Sequence, residues 1–391
     1  MDDIANQPMP VDPKSPVRPI PTDVGKKIEA GTALCLSGGG YRAMVFHIGA
    51  IWRLHETGML KSLKRISSVS GGSITAGVLA LKWNALITKP FDRASFEREF
   101  VAPLRALAGE TIDIGSATLG LVWPGGVSGR IAAAYDKYVF HGATLQDLPD
   151  EPRFVINATN VQSGALWRFM KPYMADWRVG SVEQPKISLA RAVTASSAFP
   201  PFLSPMQMSL DPNSVHKERG NDLHAEPYTS EVVLTDGGVY DNLGLETAWK
   251  HYDTILVSDG GGHIEPEKEP STLWPQHSYR VLNLIDNQVR ALRKRQVIDS
   301  YKAAAHDANY RKGAYWGIRT NIADYKLADA LNAPHKRTLA LAAIATRLAS
   351  MDDKAQERLI NWGYAVCDAA LRKHVSSGLG PKPAFPYSGG V

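Results

Sequence analysis

Residues 32–77, TALCLSGGGYRAMVFHIGAIWRLHETGMLKSLKRISSVSGGSITAG, constrain the fold of this chain more than any other stretch. They read as strand, glycine loop, helix, strand, then a serine on a sharp turn that opens a second helix. Residues 32–37 are a short, mostly apolar run followed by three glycines, the pattern of a buried parallel strand. Met44, Ile48, Ile51 and Trp52 recur at helical spacing, and Gly58 stands where that helix should stop. Residues 65–69 supply the next strand, which gives the segment the length of a βαβ unit. Both turns then fall at the carboxyl ends of parallel strands, where open α/β sheets place their ligands.

The second turn, Ser68-Val69-Ser70-Gly71-Gly72, matches the nucleophile elbow G-x-S-x-G at its serine and last glycine, with Ser68 replacing the first glycine. Small neighbours are required because the serine occupies a strained strand-to-helix turn; serine is close enough to glycine in size. In the first turn, Ser37-Gly38-Gly39-Gly40-Tyr41-Arg42, three bare backbone N–H groups lie at the positive end of a helix. That arrangement suits the negative oxygen of a tetrahedral acyl intermediate. Arg42 adds a permanent cation, suited either to that oxygen or to pairing helices. Gly38-x-Gly40-x-x-Ala43 also fits a dinucleotide fingerprint, but the acid that fingerprint wants at the end of the second strand is missing from residues 67–70.

Breaking an ester needs a nucleophile, a group to take its proton, and donors for the developing oxyanion. Residues 231–235 read as a strand that delivers Asp236 into Gly237-Gly238; Asp259, before Gly260-Gly261-Gly262, is its rival. Histidine is the usual proton acceptor, and His47 lies on the helix after the glycine loop. An aspartate serves where a dry site raises its pKa or where proton transfer is concerted with attack. Ser196 and Ser197, at the end of a small-residue helix over 189–198, are rival hydroxyls with no glycine elbow around them.

The rest of the chain sets limits. Residues 1–30 hold six prolines and no apolar period, so they read as a flexible arm without a secretory core. Residues 31–375 read as one elaborated domain, and residues 376–391 as a flexible tail of Gly, Pro and Ser that frays. With 44% hydrophobic residues in 391, one large core is affordable, and no run approaches the length of a membrane span. Cys35 and Cys367 lie far apart in apolar segments and read as reduced core cysteines, which points to a cytoplasmic setting. No metal or cofactor motif appears. The net charge of +5 is mild. Arg290 with Arg293-Lys294-Arg295, on a helix over 279–305, reads as a solvated face or a contact to anionic lipid, and nothing resembles a nucleic-acid motif. The apolar, glycine-rich residues 118–127, between amphipathic segments over 93–108 and 129–140, pack on the core or form a lid. Residues 154–158 and 165–169 form a hairpin, and helices are expected over 337–350 and 353–374, with a strand near 315–319.

Four motifs in order over residues 31–245 carry a family resemblance: Ser-Gly-Gly-Gly-Tyr-Arg-Ala-Met at 37–44, the serine elbow, Ala-Ser-Ser-Ala-Phe-Pro-Pro-Phe at 195–202, and Asp-Gly-Gly at 236–238. Together they resemble the patatin-like phospholipase family, and the first is also similar to the cytosolic phospholipase relatives. The resemblance implies a three-layer α/β fold with a mainly parallel central sheet flanked by helices. It implies a catalytic dyad without histidine or cofactor: Ser70 as nucleophile and Asp236 as base, with Gly38, Gly39, Gly40 and Arg42 as oxyanion hole. Asp236 is preferred to Asp259 because Asp-Gly-Gly-Val-Tyr-Asp-Asn-Leu-Gly matches the family pattern. The implied activity is that of a serine esterase acting as a lipid acyl hydrolase on glycerophospholipids or related esters. It would work at a membrane surface, and some bacterial relatives require a small-molecule or protein activator. Two departures are Ser68 at the elbow and Ser37 where plant patatins carry an acid. The alternatives are a nucleotide-binding protein using the glycine loop and a catalytically silent regulatory or interaction protein.

Overall fold

The run of alternating faces begins with β1 (Glu29–Leu36), in a computed structural model that describes residues 28–112, 126–217 and 222–391. The expected βαβ unit is present: β1 feeds α1 (Gly40–Glu56), then β2 (Leu63–Val69), then α2 (Gly71–Ile87). After α3 (Gly126–Tyr135), the strands β3 (Arg153–Asn160), β4 (Leu166–Phe169), β5 (Tyr173–Asp176) and β6 (Gly180–Glu183) form a meander. Next come α4 (Leu189–Ser196), β7 (Met206–Ser209), β8 (Val215–His216), β9 (Glu231–Asp236) and the short α5 (Gly238–Asp241). The described chain is completed by β10 (Tyr252–Asp259), α6 (Trp274–Lys302), β11 (Lys312–Gly317) and α7 (Asp353–His374).

These strands form one sheet in the order β11-β10-β1-β2-β3-β4-β5-β6-β8, parallel from β11 to β3 and antiparallel beyond. β4 holds one edge of β3. On its other edge β2 pairs with residues 153–157, and β9 then takes over, antiparallel, at residues 158–160.

Alternation along β1 builds the layers. Leu34 and Leu36 enter the larger core with α1, α2 and α7, whereas Ala33 and Cys35 pack on the opposite face with Leu243, Leu245 and Val297. Each face is thereby covered by helices, as a parallel sheet requires. α1 is buried on nearly all sides and crosses α7 at touching backbones: a methyl at Gly49 would sit 1.9 Å from the Ile360 carbonyl oxygen. Beside that crossing the buried Arg53 meets the buried Asp368 at 2.8 Å. Cys35 and Cys367 are both buried and free.

Two expectations fail locally. The helix expected over 337–350 covers only His335–Ala342, because the following carbonyls are used elsewhere: Arg347 accepts the N–H of Tyr41, and Ile344 accepts from the side chain of Arg42. Of residues 376–391, expected to fray, residues 384–391 are held instead. Asn361 donates to the carbonyls of Tyr387 and Gly390, both at 2.8 Å, and Val391 is buried. Residues 1–27 of the proline-rich arm and 118–125 of the apolar insertion lie outside the described residues. Among the described residues no helix is long and apolar enough to cross a membrane.

Candidate active site

Strand register brings the two principal candidates together. Val69, the last residue of β2, pairs with Asn157 of β3, and Asp236, the last residue of β9, pairs with the adjacent Ala158. Ser70 and Asp236 therefore leave the same edge of one strand, although 166 positions separate them in the sequence (236 − 70). Ser70 has φ 52° and ψ −123°, a conformation rare for a side-chain-bearing residue and the one the elbow motif demands. Its N–H donates to the Ser196 hydroxyl at 2.9 Å, and its carbonyl accepts from Ser73 to begin α2. Ser68 fills the place of the elbow's first glycine by hydrogen bonding: its hydroxyl donates to the Val155 carbonyl at 3.2 Å and accepts from Ser73 at 3.0 Å.

The elbow and the glycine loop touch directly. A methyl at Gly71 would lie 2.1 Å from the Gly40 carbonyl oxygen, and one at Gly38 would lie 3.1 Å from the Ser70 Cβ. Gly39 and Gly40 adopt φ 141° and 58°, and among the described residues their N–H groups have no acceptor. They stand at the N-terminus of α1, where backbone amides favour a negative charge. Gly38 differs: its N–H is donated to the Asn242 carbonyl at 3.0 Å. Arg42 also departs from its expected place in the oxyanion hole. Buried, it donates to the carbonyls of Gly260, Ala342 and Ile344, tying α1 to two distant loops. Its five N–H groups match such a cluster of carbonyls, and the donors left for an oxyanion are backbone ones.

Asp236 is 2% exposed, and Ser70 is 8% exposed. Burial pushes the Asp236 carboxyl up to about 7, against a hydrogen bond from Gly238 N–H at 2.7 Å, the influence of the Ser70 hydroxyl, and the charge of Arg290; the charge of Asp286 adds to the rise. A carboxylate with that proton affinity can take a proton near neutrality. The rival Asp259 is built differently. Although burial raises it, the Arg290 charge, the Tyr315 hydroxyl at 2.6 Å and the Gly261 N–H hold it below the usual carboxylate range. Such a group stays charged and is a poor base.

His47 is a brace for the loop. Its Nε2 meets the Ser37 carbonyl at 3.0 Å, its Nδ1 meets the Ser258 hydroxyl at 2.8 Å, and burial depresses it to about 4. Ser196 and Ser197 are buried; Ser197 bonds back to the Val193 carbonyl, so both hydroxyls serve the scaffold. The basic cluster on α6 is largely consumed. Arg290 donates to Gly262 and Asn242, Arg293 pairs with Glu246 at 3.0 Å, and Lys294 lies over the Tyr315 ring.

Four residues beside the site carry no strong sequence signal. Asn157 Nδ2 donates to the Ser67 hydroxyl and Ser68 carbonyl, both at 2.9 Å, fixing the strand that presents Ser70. Asn242 follows Asp236 by six positions, and the turn of α5 folds it back; its place in the Asp-Gly-Gly motif is the one clue to it. Asp286 and Arg290 are an i, i+4 pair that reads as a solvated helix face until α6 is seen lying over the site.

A sequence model of the family described as patatin-like phospholipase matches residues 34–249. No curated protein sequence matches the chain. Among solved structures, human GIVD cytosolic phospholipase A2 is similar at 12% identity and a TM-score of 0.50, covering 88% of this chain and 61% of that one. Its complex with methyl gamma-linolenyl fluorophosphonate gives 13% identity and 0.49, covering 87% and 57%. VipD from Legionella pneumophila gives 15% identity and 0.38, covering 89% and 67%. The chain thus matches about three fifths of the length of the human phospholipase, and at this identity the likeness is one of fold.

Proposed function

The chain belongs to the patatin-like phospholipase family, and from that premise we propose that it is a lipid acyl hydrolase working through a Ser70–Asp236 dyad. The observation that carries this reading is the strand register that sets a strained serine beside a buried carboxyl whose proton affinity is raised to near neutrality. In the reaction, Ser70 Oγ attacks the acyl carbonyl carbon while Asp236 takes the hydroxyl proton. The N–H groups of Gly39 and Gly40 receive the oxyanion, each such donor being worth roughly 3 kcal/mol of barrier. Collapse expels the alcohol, protonated by Asp236, and leaves an acyl-enzyme. Water, deprotonated by Asp236, then releases the fatty acid and restores Ser70.

The substrate reading is an acyl-ester lipid met at a membrane surface. Phe202, Leu273 at the start of α6, and Trp274 and Ile285 on it are exposed large apolar side chains, and Phe202 meets Tyr279 of α6 edge to face at 5.9 Å. With Arg290 and Arg293 of the basic cluster engaged internally, contact with lipid falls mainly to this apolar flank. The nucleotide reading is weaker, because Gly38 N–H is already used and the Arg347 backbone crowds Gly40. The test is fatty-acid release from phosphatidylcholine vesicles by the purified chain: activity abolished by Ser70→Ala supports the reading, and activity that survives the substitution contradicts it.

A further inference from the structure

Two opposite charges of α6 reach the site through one side chain. Asn242 Nδ2 donates to Asp286 Oδ1 at 2.8 Å, and Asn242 Oδ1 accepts from Arg290 Nη2 at 2.9 Å. The amide thus spends a donor and an acceptor on both charges at once. Its other flank faces the dyad. A methyl on Gly238 would lie 2.7 Å from Asn242 Nδ2 and 2.9 Å from Asp236 Oδ1, and a methyl on Gly38 would lie 3.3 Å from Asn242 Oδ1. The Asn242 carbonyl meanwhile holds Gly38 N–H.

Arg290 is only 9% exposed, its Nη1 donates to the Gly262 carbonyl at 2.6 Å, and its buried Nε has no partner. Asp286 Oδ2 stands 3.7 Å from Arg290 Nη2, so the Asn242 amide takes the place of a tight ion pair. A buried cation in loose contact with a half-buried carboxylate is a poor source of stability, and this pair calls for another account. We propose that Asp286 and Arg290 are positioning residues for the reaction: through Asn242 they brace Gly38 against the elbow and hold two opposite charges next to the Ser70–Asp236 dyad.

The inference rests on the Ser70–Asp236 reading. The charged and titratable groups that act on Asp236 include Asp286 and Arg290 from α6, the Ser70 hydroxyl from the elbow and Tyr135 from α3. Burial holds the Tyr135 phenol well above its ordinary range, so it is neutral wherever Asp236 titrates. The adjustable charges are therefore the two on α6. Removing Asp286 should make Asp236 more acidic, and removing Arg290 should make it less so.

The test is a carbon NMR titration of the full chain labelled at aspartate side-chain carboxyls, with Asp236→Asn identifying the resonance. Asp286→Asn should lower the Asp236 midpoint, and Arg290→Met should raise it, each by about one pH unit. Arg290→Lys, which keeps the charge, should stay nearer wild type than Arg290→Met. Midpoints that do not move, or that move in the same direction, overturn the proposal. Should Arg290→Met fail to fold, the near-isosteric Asp286→Asn decides by its sign alone. The titration needs no turnover, so failure of the hydrolase reading in the vesicle assay is distinguishable from failure here.

Discussion

The backbone N–H of Ser70 donates to the hydroxyl of Ser196 at 2.9 Å, joining the elbow to the end of α4. The same oxygen lies 2.9 Å from the Ser73 hydroxyl, so a second serine supports the strained turn from within the core. Ser196→Ala leaves a buried N–H without a partner, which should destabilise the chain by about 1–2 kcal/mol and slow turnover without abolishing it. Urea unfolding checks the first effect, and vesicle hydrolysis the second.

The loop brace predicts an acid-side loss of stability. His47 titrates at about 4 in the folded chain and near 6.5 when unfolded. Between those values the unfolded chain binds the extra proton, so this contribution is full above pH 6.5 and falls as pH drops toward 4. The loss is about 3 kcal/mol at most. His47→Gln should be less stable than wild type at pH 7 yet lose less on acidification, as measured by urea unfolding at pH 7, 5.5 and 4.5.

Asp236 has the opposite sign. Its folded carboxyl titrates at about 7 and its unfolded one near 3.9, so the folded chain holds the extra proton between them. The stabilisation is present below pH 4 and is lost as pH rises through 7, leaving a buried carboxylate. Asp236→Asn should therefore be inactive and, at pH 8, more stable than wild type by about 2–3 kcal/mol, with the gain vanishing near pH 4. Thermal unfolding at the two pH values checks it.

The apolar flank predicts how the chain meets its substrate. Trp274 is 79% exposed and should enter the lipid. The double substitution Trp274→Ser with Ile285→Ser should lower partition onto phosphatidylcholine vesicles at least about tenfold, since two large apolar contacts are lost. Hydrolysis of a soluble short-chain p-nitrophenyl ester should change little. Vesicle sedimentation alongside the chromogenic assay separates the two.

What the sequence made legible follows from local patterning. The run 32–77 specifies strand, loop, helix and elbow through residues adjacent in the chain, and the structure has them where the pattern puts them. Asp236 at a strand end was legible in the same way. The use of Arg42 was not, because a buried guanidinium goes to whichever carbonyls tertiary packing supplies, here residues 260, 342 and 344. Asp286 and Arg290 were hidden for a related reason: helical spacing shows that they share a face but not what that face covers. The antiparallel entry of β9 beside β3, which sets Asp236 against Ser70, depends on pairing between residues 74 to 78 positions apart and leaves no periodic trace.

The central claim is that Ser70 is the activated nucleophile and Asp236 its base. Treatment with a fluorophosphonate probe, followed by peptide mass mapping, tests it most directly. The account predicts an adduct on Ser70, absent from Ser70→Ala and much slower to form in Asp236→Asn. An adduct on Ser73 or Ser196 instead, or labelling of Ser70 at an unchanged rate in Asp236→Asn, would contradict it.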